Sequence, residues 1–196
     1  MKQLILISYI FLCCDLHPRE IEETTFSYWD KPDSQIYYSI PETIDSNTKI
    51  IFIMHGASRG AEKYLNDWLP LAQDRNVVLI APEFSKESYP EYVYLMMSTE
   101  RGKLLKEQSL YLTESLGLLF DYFKAKLKLT TTTFRLYGHS GGSQFVHRYL
   151  LLSDETRIEK AAMANAGFYT FADDQIYYPF GIKIMNVSNE RLEWVL

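Results

Sequence analysis

The chain has 196 residues, 47% of them hydrophobic and 23% charged, the proportions of one ordinary globular domain, which excludes a disordered or collagen-like chain. Twenty Lys and Arg against 25 Asp and Glu leave a formal charge of −5, and no basic cluster interrupts that balance, so no nucleic-acid partner is expected. The only cysteines, Cys13 and Cys14, are adjacent, which excludes a disulfide framework and a cysteine-based zinc site.

Met1-Lys2-Gln3 is a short positive start, and the apolar run Leu4 to Leu12 that follows is broken only by Ser8 and Tyr9. This is the layout of a secretory signal over residues 1–14, too short to span a bilayer. A cysteine directly after the run resembles the bacterial lipoprotein signal, in which Cys14 or Cys13 would be acylated and attach the protein to a membrane. Phe11 and Leu12 are bulkier than that signal prefers. Plain secretion and a buried N-terminal strand remain as alternatives, and either signal reading puts the protein outside the cell or on its envelope.

Residues 24–29 and 35–40 are short, aromatic and β-branched, with Asp30-Lys31-Pro32-Asp33 between them, and predict an antiparallel pair. Lys49 to Met54 and Val77 to Ala81 are continuous apolar runs of strand length, as strands buried on both faces are. Between them, Ser58 is placed to cap a helix whose apolar positions are Tyr64, Leu65, Trp68, Leu69 and Ala72. The stretch Phe84 to Arg101, rich in Tyr, Ser, Pro and Met, reads as a loop over a cleft. A long helix is predicted from about 103 to 128, with Leu112, Leu116, Leu119, Phe120, Phe123 and Leu127 on one face and Lys128 favourable at its end. Then come a strand at 131–137, a helix carrying Phe145, Val146, Tyr149 and Leu150, and a strand at 160–165. Strand and helix in regular alternation predict an α/β fold, a mostly parallel sheet with helices on both faces. No repeat or linker divides residues 20–196, which read as one unit.

Gly138-His139-Ser140-Gly141-Gly142 lies between a predicted strand and a predicted helix. A serine hydroxyl becomes a nucleophile only when it is exposed, oriented and deprotonated by a base, and a sharp strand-to-helix turn supplies the first two conditions. Gly138 and Gly141 stand where a Cβ would collide with strand or helix, Gly142 completes the elbow, and Gly141 also puts a backbone N–H beside Ser140 at a helix N-terminus. A second loop, His55-Gly56-Ala57-Ser58-Arg59, ends an earlier strand. The N–H groups of Ala57 and Gly141 are together the candidate oxyanion hole, worth about 3 kcal/mol per donor. His55 reads as a structural histidine at a strand end, and His139 as a packing residue whose side chain points away from that of Ser140.

These motifs, with Ala81-Pro82-Glu83-Phe84 and Asn165-Ala166-Gly167-Phe168-Tyr169-Thr170, resemble the α/β-hydrolase fold superfamily over about residues 36–196. The last of them, with Tyr178-Pro179-Phe180-Gly181 beyond it, looks like secreted esterases related to polyhydroxyalkanoate depolymerases and feruloyl esterases. The resemblance implies a Ser-His-Asp triad in chain order Ser, acid, His, hydrolysing a small-molecule or polymeric ester through an acyl-enzyme, with no metal or cofactor. Only His147 follows Ser140, and it falls about 10 Å along the helix that starts there, out of reach as a base. None of the downstream acids follows a recognisable strand. The resemblance implies two further strands bearing the acid and the histidine, so the expectation is the N-terminal two-thirds of a longer enzyme, inactive alone, with 160–165 left as an unpaired edge.

The leading reading from another class is a non-catalytic surface binding protein for carbohydrate or aromatic ligands, carried by the Tyr- and Phe-rich stretches 84–101 and 168–180. Phosphate-loop, dinucleotide and zinc-hydrolase motifs are absent from the sequence. Asn186-Val187-Ser188 fits the glycosylation acceptor pattern, which is common by chance.

Overall fold

A computed structural model describes residues 18–195. The expected signal segment, with Cys13 and Cys14, lies outside the described residues, as does His17. Six strands form one sheet in the order β1-β2-β4-β3-β5-β6. They are β1 (Glu22–Phe26), β2 (Ser34–Ser39), β3 (Lys49–Met54), β4 (Val77–Glu83), β5 (Phe134–His139) and β6 (Ile158–Ala164). The first two are antiparallel to each other and β2 is antiparallel to β4, whereas β4-β3-β5-β6 are mutually parallel. The parallel strands are joined through helices because only a crossover returns the chain to the same end of the sheet.

Helix α1 (Ala61–Ala72) covers one face, packing Ala61, Leu65 and Ala72 against Ile53, Leu79 and Ala81. Helices α2 (Ser115–Lys126) and α3 (Gly141–Leu152) cover the other, where Phe120, Phe123, Phe145 and Val146 meet Phe52, Met54, Ile80 and Phe134. A short α4 (Asn189–Val195) packs on α3. This is the α/β class with helices on both faces. Both predicted core strands, β3 and β4, are buried throughout or nearly so, whereas β6 at the sheet edge exposes Glu159, Lys160, Ala162 and Met163. Among the described residues no helix is long and apolar enough to cross a membrane.

Four local expectations are corrected. Ser58 does not cap α1: Gly60 is the N-cap residue, and the Glu83 carboxylate accepts the N–H groups of Gly60 and Ala61 across 22 residues of sequence. The helix predicted from 103 to 128 begins only at Ser115. The backbone ahead of it is spent on the preceding loop, through Leu105 N–H to Met97 O, Thr99 N–H to Lys103 O and Leu112 N–H to Leu95 O. Lys128 then lies outside the helix at φ 52°, and Lys124 and Lys126 supply the positive charge of its last turn. The stretch 84–101 is not an open loop over a cleft. Phe84, Tyr89, Tyr92, Tyr94, Leu95 and Met96 are buried, and the rings of Phe84, Tyr92, Phe145 and Tyr149 form a continuous stack. Finally, β4 runs on through Pro82, whose missing N–H costs no bond to β3 because that pairing ends at Phe52 and Ile80.

Candidate active site at the ends of β3 and β5

Strand β5 ends at His139 and α3 begins at Gly141, so Ser140 alone makes the turn, at φ 55° and ψ −117°. A positive φ at a residue with a side chain is strained, and it persists here because the surroundings fix it. The Ser140 N–H donates to Ala164 O of β6 at 2.9 Å, and its carbonyl accepts Gln144 N–H of α3 at 3.1 Å. A serine preceding a helix normally turns its hydroxyl back to cap it. Ser140 makes no such bond, and among the described residues its hydroxyl has no hydrogen-bond partner.

The glycines around it are required by contact. A Cβ on Gly138 would overlap the carbonyl of Gly142, and one on Gly142 would overlap that of Met54 at the end of β3, so strand, turn and helix touch backbone to backbone. A Cβ on Gly141 would stand 2.6 Å from Ala57 N, and one on Gly56 would stand 3.6 Å from Ser140 Cβ. The two loops named in the sequence are therefore neighbours around Ser140. Ala57 is exposed, and neither its N–H nor that of Gly141 has an acceptor among the described residues.

The Ala57 loop is held from several sides. His55 is fully buried; its Nδ1 donates to Gly56 O at 3.0 Å and its Nε2 accepts Phe84 N–H at 3.1 Å, which fixes a neutral ring in one tautomer. Burial pushes its pKa down, keeping it neutral. Tyr92 Oη donates to His55 O at 3.1 Å, and Arg59 N–H donates to Gly56 O at 3.0 Å. The Glu83 cap then anchors the far end of the loop at α1.

None of the three described histidines bonds to Ser140. His139 lies with Nδ1 3.1 Å from Tyr64 Oη and Nε2 3.3 Å from Asn165 Nδ2. His147, buried in α3, donates from Nδ1 to Ser143 O at 3.1 Å and accepts Thr170 N–H at Nε2 at 2.7 Å. Burial, with Arg148 beside it, pushes its pKa down to about 4. The downstream acids are elsewhere: Glu155 is bound by Arg157, and Asp173 and Asp174 accept from Gln175.

Three residues that organise this region had no such role assigned from the sequence. Glu83 had only its place at a strand end as a signal. Tyr64, whose hydroxyl a Cβ on Gly56 would meet at 2.7 Å, looked like one more apolar position of α1. Arg148 is an arginine inside the apolar face Phe145 to Leu150, which is a visible anomaly. It is fully buried between the rings of Tyr94 and Phe168, each 4.9 Å away, and its Nε donates to Thr170 Oγ1 at 3.0 Å.

No protein-family profile and no curated protein matches the sequence. Solved structures do. Poly(aspartic acid) hydrolase-1 from Sphingomonas sp. KT-1 superposes with a TM-score of 0.81 at 30% identity, over 90% of this chain and 67% of that one. A poly(3-hydroxybutyrate) depolymerase from Bordetella parapertussis does so with a TM-score of 0.78 at 21% identity, over 90% of this chain and 63% of that one. An acetyl xylan esterase from Aspergillus awamori shares the fold at 14% identity and a TM-score of 0.56, over 74% of this chain and 51% of that one. The chain thus spans about two thirds of the length of the first two. Sheet order, strained serine turn and these likenesses agree: the chain belongs to the α/β-hydrolase fold superfamily, among hydrolases that resemble polymer depolymerases and esterases.

Proposed function

We propose that the protein is a serine hydrolase acting on carboxylic esters, small or polymeric, with Ser140 as nucleophile. The observation that carries this reading is the backbone of Ser140: a strained serine at a helix N-terminus whose hydroxyl does not cap that helix. Ser140 Oγ attacks the ester carbonyl and loses its proton to a base. The carbonyl oxygen becomes an oxyanion, which accepts from the N–H groups of Ala57 and Gly141 at the positive end of α3. Collapse of this tetrahedral adduct breaks the ester C–O bond, the alcohol leaves with a proton, and water repeats the cycle on the acyl-enzyme. His55, Tyr92, Arg59 and Glu83 hold the Ala57 loop so that its donor needs no reorganisation as charge develops. Of the relatives named above, the poly(3-hydroxybutyrate) depolymerase and the acetyl xylan esterase act on esters, whereas poly(aspartic acid) is a polyamide; all three reactions cleave a carboxylic acyl bond, which supports acyl transfer as the chemistry.

A non-catalytic binding role is the second reading, and one observation favours it: no base among the described residues bonds the Ser140 hydroxyl. A fluorophosphonate probe separates the two. Labelling of the 196-residue chain, read as an intact-mass increase that Ser140→Ala abolishes, is the outcome expected of an activated serine. Such labelling would overturn the expectation that these residues are inactive alone; a folded sample that stays unlabelled fits that expectation, and the hydrolase reading is sunk if Ser140 also stays unlabelled once the expected acid and histidine strands are supplied.

A further inference from the structure

Strands β5 and β6 end side by side. His139 pairs with Ala164 in the parallel register, so Ser140 and Asn165 are the next residues of the two strands, and both take φ 55°. A residue with a side chain is rarely left-handed unless its surroundings hold it there. His139 stands between the two and reaches both ways. Its Nδ1 lies 3.1 Å from Tyr64 Oη of α1, and its Nε2 lies 3.3 Å from Asn165 Nδ2.

An amide nitrogen only donates, so Asn165 Nδ2 gives its hydrogen to Nε2. In the neutral ring the one N–H is then on Nδ1, and it donates to Tyr64 Oη. Tyr64 is in turn packed on the loop that carries the Ala57 donor. A Cβ on Gly56 would stand 2.7 Å from the Tyr64 hydroxyl and 3.6 Å from Ser140 Cβ, so only a bare Cα at residue 56 admits the hydroxyl to the place where loop and turn meet. On the other side, Ala164 O accepts the Ser140 N–H at 2.9 Å just before the chain bends away at Asn165. Tyr64, His139 and Asn165 thus form one row from α1 across the ends of β5 and β6, half-buried at the first two and exposed at the third.

We propose that His139 is a positioning residue for the nucleophile. In a single tautomer it fastens both walls of the cleft to the Ser140 turn, the Gly56-Ala57 loop through Tyr64 and the segment after β6 through Asn165. The inference rests on the serine-hydrolase reading, in which the spacing of Ser140 and the Ala57 N–H must be set before charge develops on the substrate oxygen. His139 makes and breaks no bond to substrate, and its proton stays on Nδ1.

The test is nuclear magnetic resonance on the 196-residue chain at about pH 8, above the ordinary histidine range. The ring-nitrogen shifts of His139 are expected to show the proton on Nδ1. Asn165→Gly keeps the left-handed backbone and removes the amide, which lets the proton move to Nε2 while Tyr64 Oη donates to Nδ1. Amide exchange reads the walls. The Arg59 amide, which donates to Gly56 O, and the Ser140 amide, which donates to Ala164 O, are expected to lose about tenfold in protection in His139→Ala. Tyr64→Phe, which keeps the ring, lowers the first alone, and Asn165→Gly the second alone. The Thr170 amide, bound to His147, stays protected in all three variants, whereas a general loss of packing would release it too. The inference is overturned if the wild-type ring carries its proton on Nε2, if His139→Ala leaves the Arg59 and Ser140 amides as protected as before, or if all three amides fall together. Each of these results removes the bridge and leaves the reaction at Ser140 to be decided by labelling, because none of these readouts needs that serine to react.

Discussion

The Ser140 turn and the segment after β6, residues 165–186, both sit at the carboxyl ends of the parallel strands, yet they are held in different ways. The turn is fixed by backbone against backbone, with Gly138 on Gly142 and Gly142 on Met54, and it has no room to vary. The later segment is fastened at a few polar points. Thr170 is gripped by His147 and Arg148 and donates its hydroxyl to Pro179 O at 2.6 Å, and Tyr178 Oη donates to Tyr94 O at 2.8 Å. Between and beyond those pins Phe171, Tyr177, Phe180 and Ile184 are exposed. Steric contact through the main chain tolerates no substitution, whereas a pinned segment can be loosened one bond at a time.

That contrast can be broken from either side. The largest effect is expected at Gly142→Ala, whose new methyl must displace the end of β3: a loss of more than about 3 kcal/mol, or failure to fold, in a thermal or denaturant melt. A wild-type melt from this variant would show that the turn is not sterically fixed. Next is acid. His147 is held near pKa 4 against an ordinary value of 6.5, so the folded chain binds fewer protons than the unfolded one between these values. Its contribution is present above pH 6.5 and is lost as pH falls toward 4, about 3 kcal/mol in all. Protonation removes the acceptor for Thr170 N–H, so the protection of amides at 168–180, taken relative to their intrinsic exchange rate at each pH, should fall over this window. Protection factors that stay constant between pH 6.5 and 4 would mean the pin lies elsewhere. The smallest effect is that of Glu83→Ala, which strips the cap from α1: about 1 kcal/mol of stability. Because Glu83 also anchors the Ala57 loop, fluorophosphonate labelling should slow by more than the lost stability explains.

Much of the fold was legible because strong local signals agreed with the tertiary result. The runs Lys49–Met54 and Val77–Ala81 are too uniformly apolar to lie anywhere but in a doubly covered sheet, and both do. The helix predicted from 103 to 128 misled because a three-to-four spacing continued back to Leu112 by coincidence. Leu112 is buried, but its N–H is claimed by Leu95 across the loop, and a hydrogen bond to a distant carbonyl outweighs a weak helical preference. The cap of α1 failed for a related reason. Ser58 was the local candidate, but Glu83 reaches the same N–H groups from the end of β4 with a full negative charge.

The sequence by itself determined the α/β class, the order of strands and helices along the chain, and the serine pentapeptide between a strand and a helix, because each is written in short-range periodicity and in glycines. Only the tertiary structure decided how closely the expected pair Ala57 and Gly141 approach, that the tyrosine-rich stretch 84–101 is core and not cover, and that His55 and His147 are spent on backbone N–H groups. The physical reason is common to all three. Which polar atom finds which partner depends on approaches between segments tens of residues apart, and no local pattern records those distances.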